Sequence, residues 1–409
     1  MDPARARWLT SLAGVEALAS VEAGIATGSP TALASELRRR FPAGEASALA
    51  EQLTLRVKAR ERFGAAAESM LFTAEGLEMA THPKVAARRA ERLGSLGMPV
   101  ADLTCGIGGD LLACIDAGVA VVGIEKDEAT ALLAGANVRS RGTAAVIRGD
   151  ACQPPLRLGR MSVIIDPARR GDSGRRFDPA AFIPDWDTCL GLVTEGRSGV
   201  MKAPPGIEHR HLPPGAETEF VQLGRSMREA AIWVGEGAVP GLKRAVLLPG
   251  GHELDSSAPE VEAGAVAAGR YIFDPESCVT RAGVVRQLGL LVGARLLDPR
   301  IAYLTSDSPA FHPLSATFEV LDIVPFSVAR LRDRLRAGKW RADEIRRRGF
   351  PIEPDELRRL LGKLEGEPVA LLLTTLGGKR LAVIARKIQP EGRLNGPGRA
   401  AFVSLGEES

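Results

Sequence analysis

Between residues 98 and 250, short apolar runs alternate with helical stripes. Met98–Leu103 is an apolar run carrying Asp102, and beyond Gly106 the residues Leu111, Leu112 and Ile115 open an apolar helical face. Val119–Glu125 is a second apolar strand. A helix follows over Asp127–Arg141, stopped by Gly142, and Asn137 on it reads as exposed. Ala144–Asp150, Met161–Asp166 and Gly199–Pro205 are three further strands. Glu219–Leu223, Ala230–Val234 and Arg244–Pro249 are expected to finish the sheet. This alternation predicts an α/β fold with a doubly wound, largely parallel sheet.

The flanks read differently. Residues 1–75 look helical, with Trp8, Leu9, Leu12 and Val15, and again Leu33, Leu37 and Phe41, at helical spacing. Thr73 is placed to cap a helix, and His82-Pro83 is a turn. Residues 251–267, rich in Glu, Ala and Gly, read as a linker. Val279–Leu296 is predicted as a helix and Ile301–Ser306 as a strand. From Phe318 the pattern changes: strand Phe318–Val324, basic helix Ser327–Arg336, helix Pro354–Leu364, and strands Val369–Leu376 and Leu381–Lys387 around Gly377-Gly378. The expected domains are a helical subdomain (1–75), an α/β domain (76–255), a connector (256–325) and an α+β domain (326–409).

Composition adds bounds. The chain has 409 residues, 45% of them hydrophobic, enough for two or three cored domains. Its five cysteines are scattered, which points to reduced thiols rather than a disulfide framework or a zinc site, so no metal is expected. The N-terminus lacks the apolar core of a signal peptide, and no run approaches the ~20 apolar residues of a spanning helix, so a cytoplasmic protein without membrane partners is expected. Net charge is only +3, but Arg330–Arg348 holds nine basic and three acidic residues with Trp340 among them, the footprint of a nucleic-acid module.

The chemistry gathers at the predicted strand ends. Gly106, Gly108 and Gly109 crowd one turn between strand and helix, where backbone can run close to a ligand at a helix N-terminus. From Gly106 the chain reads G-I-G-G-D-L, so Leu111 stands where the dinucleotide fingerprint needs a small residue. Acids at Asp102, Glu125 and Asp150 suit S-adenosylmethionine better, because its amino group, ribose and adenine amine are hydrogen-bond donors. Glu125 is expected to hold the ribose and Asp150 the adenine amine; Asp102 holds the loop or the amino group. Asp166-Pro167 ends the fourth strand and can aim a carboxylate at the methyl acceptor, with Lys202 as a second catalytic candidate. Asp166-Pro-Ala-Arg169 resembles the same position in RNA uracil-5 methyltransferases, which need a cysteine nucleophile on the next strand; that strand here has none, so covalent pyrimidine C5 chemistry is not expected. Asp172–Arg176 is polar and basic and reads as a loop over the site.

The motif set over residues 75–250 resembles class I S-adenosylmethionine-dependent methyltransferases, whose sheet is Rossmann-like. The tail, F-E-V-L at 318–321, R-A-D-E-I-R-R-R-G-F at 341–350 and V-A-L-L-L-T-T-L-G-G-K-R at 369–380, resembles the THUMP-like domain that some bacterial members carry C-terminally. The resemblance implies a cofactor set of Asp102, Cys105, Gly106, Gly108, Gly109, Glu125, Lys126, Asp150, Ala151 and Asp166. It makes Glu78, Thr81 and Arg89 candidates to close over the cofactor. It also implies an RNA substrate, held by Arg169, Arg170, Arg334, Lys339, Arg346 and Arg347. A small-molecule or protein acceptor, or a non-catalytic RNA-binding factor, are the alternatives.

Overall fold

The computed structural model describes residues 1–22, 30–139, 141–142, 144–169, 178–264 and 267–390. The chain divides into two compact units, one of residues 1–257 and 277–284, the other of 258–276 and 285–409.

The first unit begins with helices α1 (Pro3–Leu9), α2 (Leu12–Glu22), α3 (Pro30–Arg40) and α4 (Ala43–Phe63), then α5 (Ala74–Met79) and α6 (Pro83–Gly94). The α/β part follows as β1 (Val100–Asp102), α7 (Gly109–Asp116), β2 (Val121–Glu125), α8 (Glu128–Val138), β3 (Ala144–Arg148), β4 (Ser162–Ile165), and the short pair β5 (Ala168–Arg169) and β6 (Phe182–Ile183). Then come α9 (Trp186–Glu195), β7 (Ser198–Ala203), β8 (Glu217–Leu223), β9 (Ser226–Gly235), β10 (Lys243–Leu248), β11 (His252–Asp255) and, past residue 276, α10 (Ser277–Ala282). Nine strands form one sheet in the order β11-β10-β8-β9-β7-β4-β1-β2-β3. From β3 to β7 all pairings are parallel, and β9 runs antiparallel to both β7 and β8.

Local chemistry explains these elements. Asp127 and Asp185 cap α8 and α9, each accepting the amide three residues on. Gly123 sits in mid-strand because a Cβ there would come within 2.7 Å of both the Cys105 sulfur and Leu111 Cδ1. Leu111 is fully buried beneath the glycine turn, the packing reason for a large residue where a dinucleotide fold keeps a small one. The N-terminal helices bury Leu9, Leu37 and Leu49 in a core shared with Leu133 of α8. Leu12 and Val15, expected on that face, are instead exposed. The segment read as a linker supplies β11, an edge strand antiparallel to β10.

The second unit contains β12 (Tyr271–Pro275), α11 (Val285–Leu291), β13 (Arg295–Asp298), β14 (Ile301–Ser306), β15 (Ser315–Pro325), α12 (Val328–Ala337), β16 (Trp340–Arg347), α13 (Pro354–Leu361), β17 (Glu367–Leu376) and β18 (Lys379–Ile388). One seven-stranded sheet, β13-β14-β12-β15-β18-β17-β16, joins all of its strands. The stretch 256–325, expected as a connector, thus supplies β12 to β15 of that sheet, and β12 pairs with β15 over five residues. The helix expected over Val279–Leu296 is broken at Gly283 (φ 75°) into α10 and α11 and gives way to β13. Leu331, Leu335, Leu357 and Leu361 of α12 and α13 cover Leu371, Leu373 and Ile384 on one face. Alternate residues Ala370, Leu372 and Val383 join Ile272 and Phe318 on the other.

Candidate functional site

The parallel strands bring their C-terminal ends to one edge of the first unit. Asp102 closes β1, is 2% exposed, and accepts the Thr104 amide at 3.1 Å. In the turn beyond it Gly106 and Gly108 take φ of 53° and 89°, a region that favours glycine. A Cβ on Gly106 or Gly109 would meet nothing within 4 Å, so the turn presents bare backbone to open space. Glu125, at the end of β2, reaches back to this turn. Its carboxylate accepts the Gly106 amide at 3.1 Å and the Asp127 amide at 2.8 Å. A carboxylate has about four acceptor positions, so Glu125 keeps capacity for two further donors. Burial raises its pKa despite those backbone bonds. Asp150 accepts the Cys152 amide at 2.9 Å and pairs with Lys126 at 2.8 Å. The Lys126 bond, then the Cys152 amide, hold its carboxyl below the usual range.

A second cluster adjoins the first. The Asp166 amide donates to Thr104 Oγ1 at 2.7 Å, which ties the end of β4 to the glycine turn. The Asp166 carboxylate forms an ion pair with Lys202 of β7. Lys202 Nζ also donates to Thr81 Oγ1 at 2.7 Å, and Thr81 Oγ1 donates to Asp110 Oδ2 at 2.9 Å. Asp110 pairs with Arg89 of α6, whose other nitrogen reaches Glu229 Oε1 of β9 at 2.6 Å. Burial works against the charges on Arg89 and Lys202, but the carboxylates around them outweigh it, and both pKa values rise. For Asp110, burial is likewise outweighed, by Arg89, Lys202 and the Thr81 hydroxyl, and its pKa falls. Asp102 makes no ion pair among the described residues: burial first, then Asp110 and Asp166, outweigh the Thr104 amide and Arg89 and push it up to about 8.

Of the residues named from the sequence, Asp102, Gly106, Gly108, Gly109, Glu125, Asp150, Asp166 and Lys202 all gather at this edge. Pro167 and Ala151 are buried beside it. Cys105 turns its thiol inward against Gly123, where burial raises its pKa well above the ordinary value. Glu78 is exposed. Sequence reasoning missed Asp110 and Glu229. The signal for Asp110 was an acid directly after the glycines, in the first turn of the predicted helix; nothing marked Glu229. The backbone of Arg169 pairs with Phe182, while Arg170 and the Asp172–Arg176 loop lie outside the described residues. Among the described residues no group of three His, Cys, Asp or Glu is placed to hold a metal ion, and no helix is long and apolar enough to cross a membrane.

The basic stretch of the second unit is largely turned onto its own carboxylates. Arg346 pairs with Asp274 at 2.6 Å and Glu344 at 2.7 Å, and Arg348 joins it on Asp274 at 2.6 Å. Asp274 is 5% exposed, so Arg346, expected to face a ligand, holds the sheet together. Arg347 donates to the Phe350 carbonyl at 3.0 Å and pairs with Glu353 at 2.5 Å. Arg334 pairs with Asp322 and lies over the Trp340 ring. Arg330, Arg336, Lys339, Lys379 and Arg380 are exposed and have no side-chain partner among the described residues. Arg380 and Arg347 line an open cleft of about 810 Å³ with Phe350 and Thr375.

Comparison with known proteins agrees with this layout. An uncharacterised S-adenosylmethionine-dependent methyltransferase of Mycobacterium tuberculosis, found in two strains, is 36% identical over 356 residues, covering 85% of this chain and 97% of the relative. A solved structure from Porphyromonas gingivalis, assigned as a methyltransferase, superposes with a TM-score of 0.70 at 22% identity over 85% of this chain and 92% of its own, a likeness of fold. The THUMP domain-like family matches residues 316–387, and a domain of unknown function matches residues 2–59.

Proposed function

The chain belongs to the S-adenosylmethionine-dependent methyltransferases, and from that premise we propose that its methyl acceptor is RNA. The observation that carries the proposal is the THUMP domain-like match over residues 316–387. Arg330, Arg336 and Lys339, exposed and without a side-chain partner among the described residues, lie within it together with Lys379 and with Arg380 of the cleft. Phosphates are bound by cations free to meet them, so these five replace Arg334, Arg346 and Arg347 as the principal phosphate-binding groups.

The residues at the sheet edge fit the cofactor. Glu125 has acceptor capacity for the two ribose hydroxyls, the bare turn at Gly106 admits close approach, and Asp150 stands ready to exchange Lys126 for the adenine amine. Asp102, Asp110, Asp166 and Glu229 outnumber Arg89 and Lys202 four to two among the described residues, an excess of acid that suits a cationic ligand. Bound there, S-adenosylmethionine supplies an electrophilic methyl group. The protein's task is then positioning. Asp166, steered by Lys202, accepts a hydrogen bond from the attacking N–H or O–H and receives its proton as methylation acidifies it. Pro167 fixes the backbone behind that carboxylate.

The test is transfer of labelled methyl from S-adenosylmethionine into fractionated RNA, protein and small molecules, beside an Asp166→Ala control. Label entering RNA and absent from the control supports the reading. Label in the protein or small-molecule fraction would move the acceptor to that class.

A further inference from the structure

Thr81 lies between α5 and α6, directly after a segment held by two neighbours. Arg62 of α4 donates to the carbonyls of Leu77, Glu78 and Ala80, the last at 2.9 Å. Gly76 of α5 packs on the glycine turn so closely that a Cβ would come within 2.4 Å of Ile107 Cγ2. So held, the Thr81 hydroxyl lies between two charged side chains from different parts of the sheet edge. It accepts from Lys202 at 2.7 Å and donates to Asp110 at 2.9 Å. A hydroxyl has a single hydrogen. With that hydrogen committed to the Asp110 carboxylate, only lone pairs face the Lys202 ammonium, and one orientation satisfies both neighbours.

Thr81 is thus the one uncharged link in a run of side chains from Glu229 through Arg89, Asp110, Thr81 and Lys202 to Asp166. Asp110 belongs to the first turn of α7, behind the cofactor loop; Lys202 and Asp166 belong to β7 and the end of β4. Without the hydroxyl, Lys202 retains Asp166 but has no second anchor, and its ammonium is drawn toward Asp110 instead.

We propose that Thr81 is a positioning residue whose hydroxyl fixes Lys202, and through it the Asp166 carboxylate, relative to the cofactor loop. The proposal rests on the assignment of Asp166 to the acceptor side. Displacing a group by ~1 Å can cost on the order of 100-fold in rate, which sets the scale of the effect.

The experiment compares Thr81→Val, which keeps the shape and removes the hydroxyl, with Thr81→Ser, which keeps the hydroxyl and removes the methyl. Methyl transfer is read with labelled S-adenosylmethionine and total RNA from cells lacking the protein. Thr81→Val is expected to lower kcat by roughly 10- to 100-fold with the cofactor KM little changed, and Thr81→Ser to keep most of the activity. A packing role gives the reverse order. A second readout needs no acceptor: the rate at which an N-hydroxysuccinimide ester acylates Lys202 in the cofactor-loaded protein, followed by peptide mass spectrometry. That rate is expected to rise several-fold in Thr81→Val and to stay slow in Thr81→Ser. Equal acylation and equal kcat in Thr81→Val and the native protein would overturn the proposal. If no RNA accepts methyl from the native protein, the RNA reading fails, and the acylation rates alone decide the role of Thr81. Should Thr81→Val melt early, Thr81→Ala against Thr81→Ser, assayed below the transition, makes the same comparison.

Discussion

Asn137 of α8 grips the backbone of Leu71 from both sides: its Oδ1 accepts the Leu71 amide at 2.7 Å and its Nδ2 donates to the Leu71 carbonyl at 2.9 Å. The same amide nitrogen donates to the Ile107 carbonyl in the glycine turn at 2.9 Å. Asn137, read from the sequence as exposed, is 6% exposed. It ties the segment before α5 and the glycine turn to one helix. Asn137→Ala would leave three buried backbone groups unpaired, at roughly 1–3 kcal/mol each. A destabilisation of at least about 3 kcal/mol is expected, read as an earlier urea midpoint with little change in slope. An unchanged midpoint would mean water replaces the side chain.

Glu125→Ala removes the carboxylate that orders Gly106 and that is proposed to take the ribose hydroxyls. Hydrogen bonds to a charged acceptor are worth about 1.5–3 kcal/mol. Removing one such bond weakens S-adenosylmethionine binding roughly 10- to 150-fold. Glu125→Gln, which keeps one oxygen acceptor, should fall between the variant and the native protein. Calorimetric titration checks both; unchanged affinity in Glu125→Ala would remove β2 from the cofactor site.

The raised pKa of Asp102 predicts that cofactor binding is linked to a proton. Burial, then Asp110 and Asp166, raise its carboxyl from 3.8 to about 8, so the folded state holds this proton more tightly than the unfolded chain does. The stability this contributes is full below about pH 4 and is lost as pH climbs to about 8. A cationic ligand favours the ionised carboxylate and expels the proton. The thermal stabilisation given by saturating S-adenosylmethionine should therefore be larger at pH 8 than at pH 6, with proton release visible as a buffer-dependent binding enthalpy. Asp102→Asn should flatten both trends. If the native protein shows no buffer dependence, Asp102 is not the group that meets the charge.

The parallel sheet and its strand-end acids were legible because apolar runs of period and length fit for buried strands end in residues that no core would hold. Gly106, Glu125 and Asp166 follow from that pattern alone. Glu229 and Asn137 did not, because their roles depend on partners 140 and 66 positions away, and a local pattern carries no such information. The connector failed for a related reason: β12 is a strand by virtue of pairing with β15, some forty residues on. The basic stretch misled differently. Its charge count was right, but the buried carboxylate of Asp274, which recruits Arg346 and Arg348, lies far upstream.

That distinction separates two kinds of arginine by experiment. Replacing Arg330, Arg336 and Lys339 with Gln removes charge that has no partner among the described residues, so stability should change little. RNA affinity should fall, and the salt dependence should become shallower by about 0.7 on a log–log plot for each phosphate no longer neutralised. Arg346→Ala should do the opposite. It strips one of two cations from a carboxylate that is 5% exposed, a destabilisation on the order of 3 kcal/mol, and it leaves the slope of the salt plot as it was. Measuring the melting temperature and the RNA salt slope of both variants checks the assignment. A flat salt response in the native protein would argue against phosphate docking by this unit altogether. A shallower slope in Arg346→Ala alone would return that arginine to the RNA, with its pair to Asp274 opening when the ligand arrives.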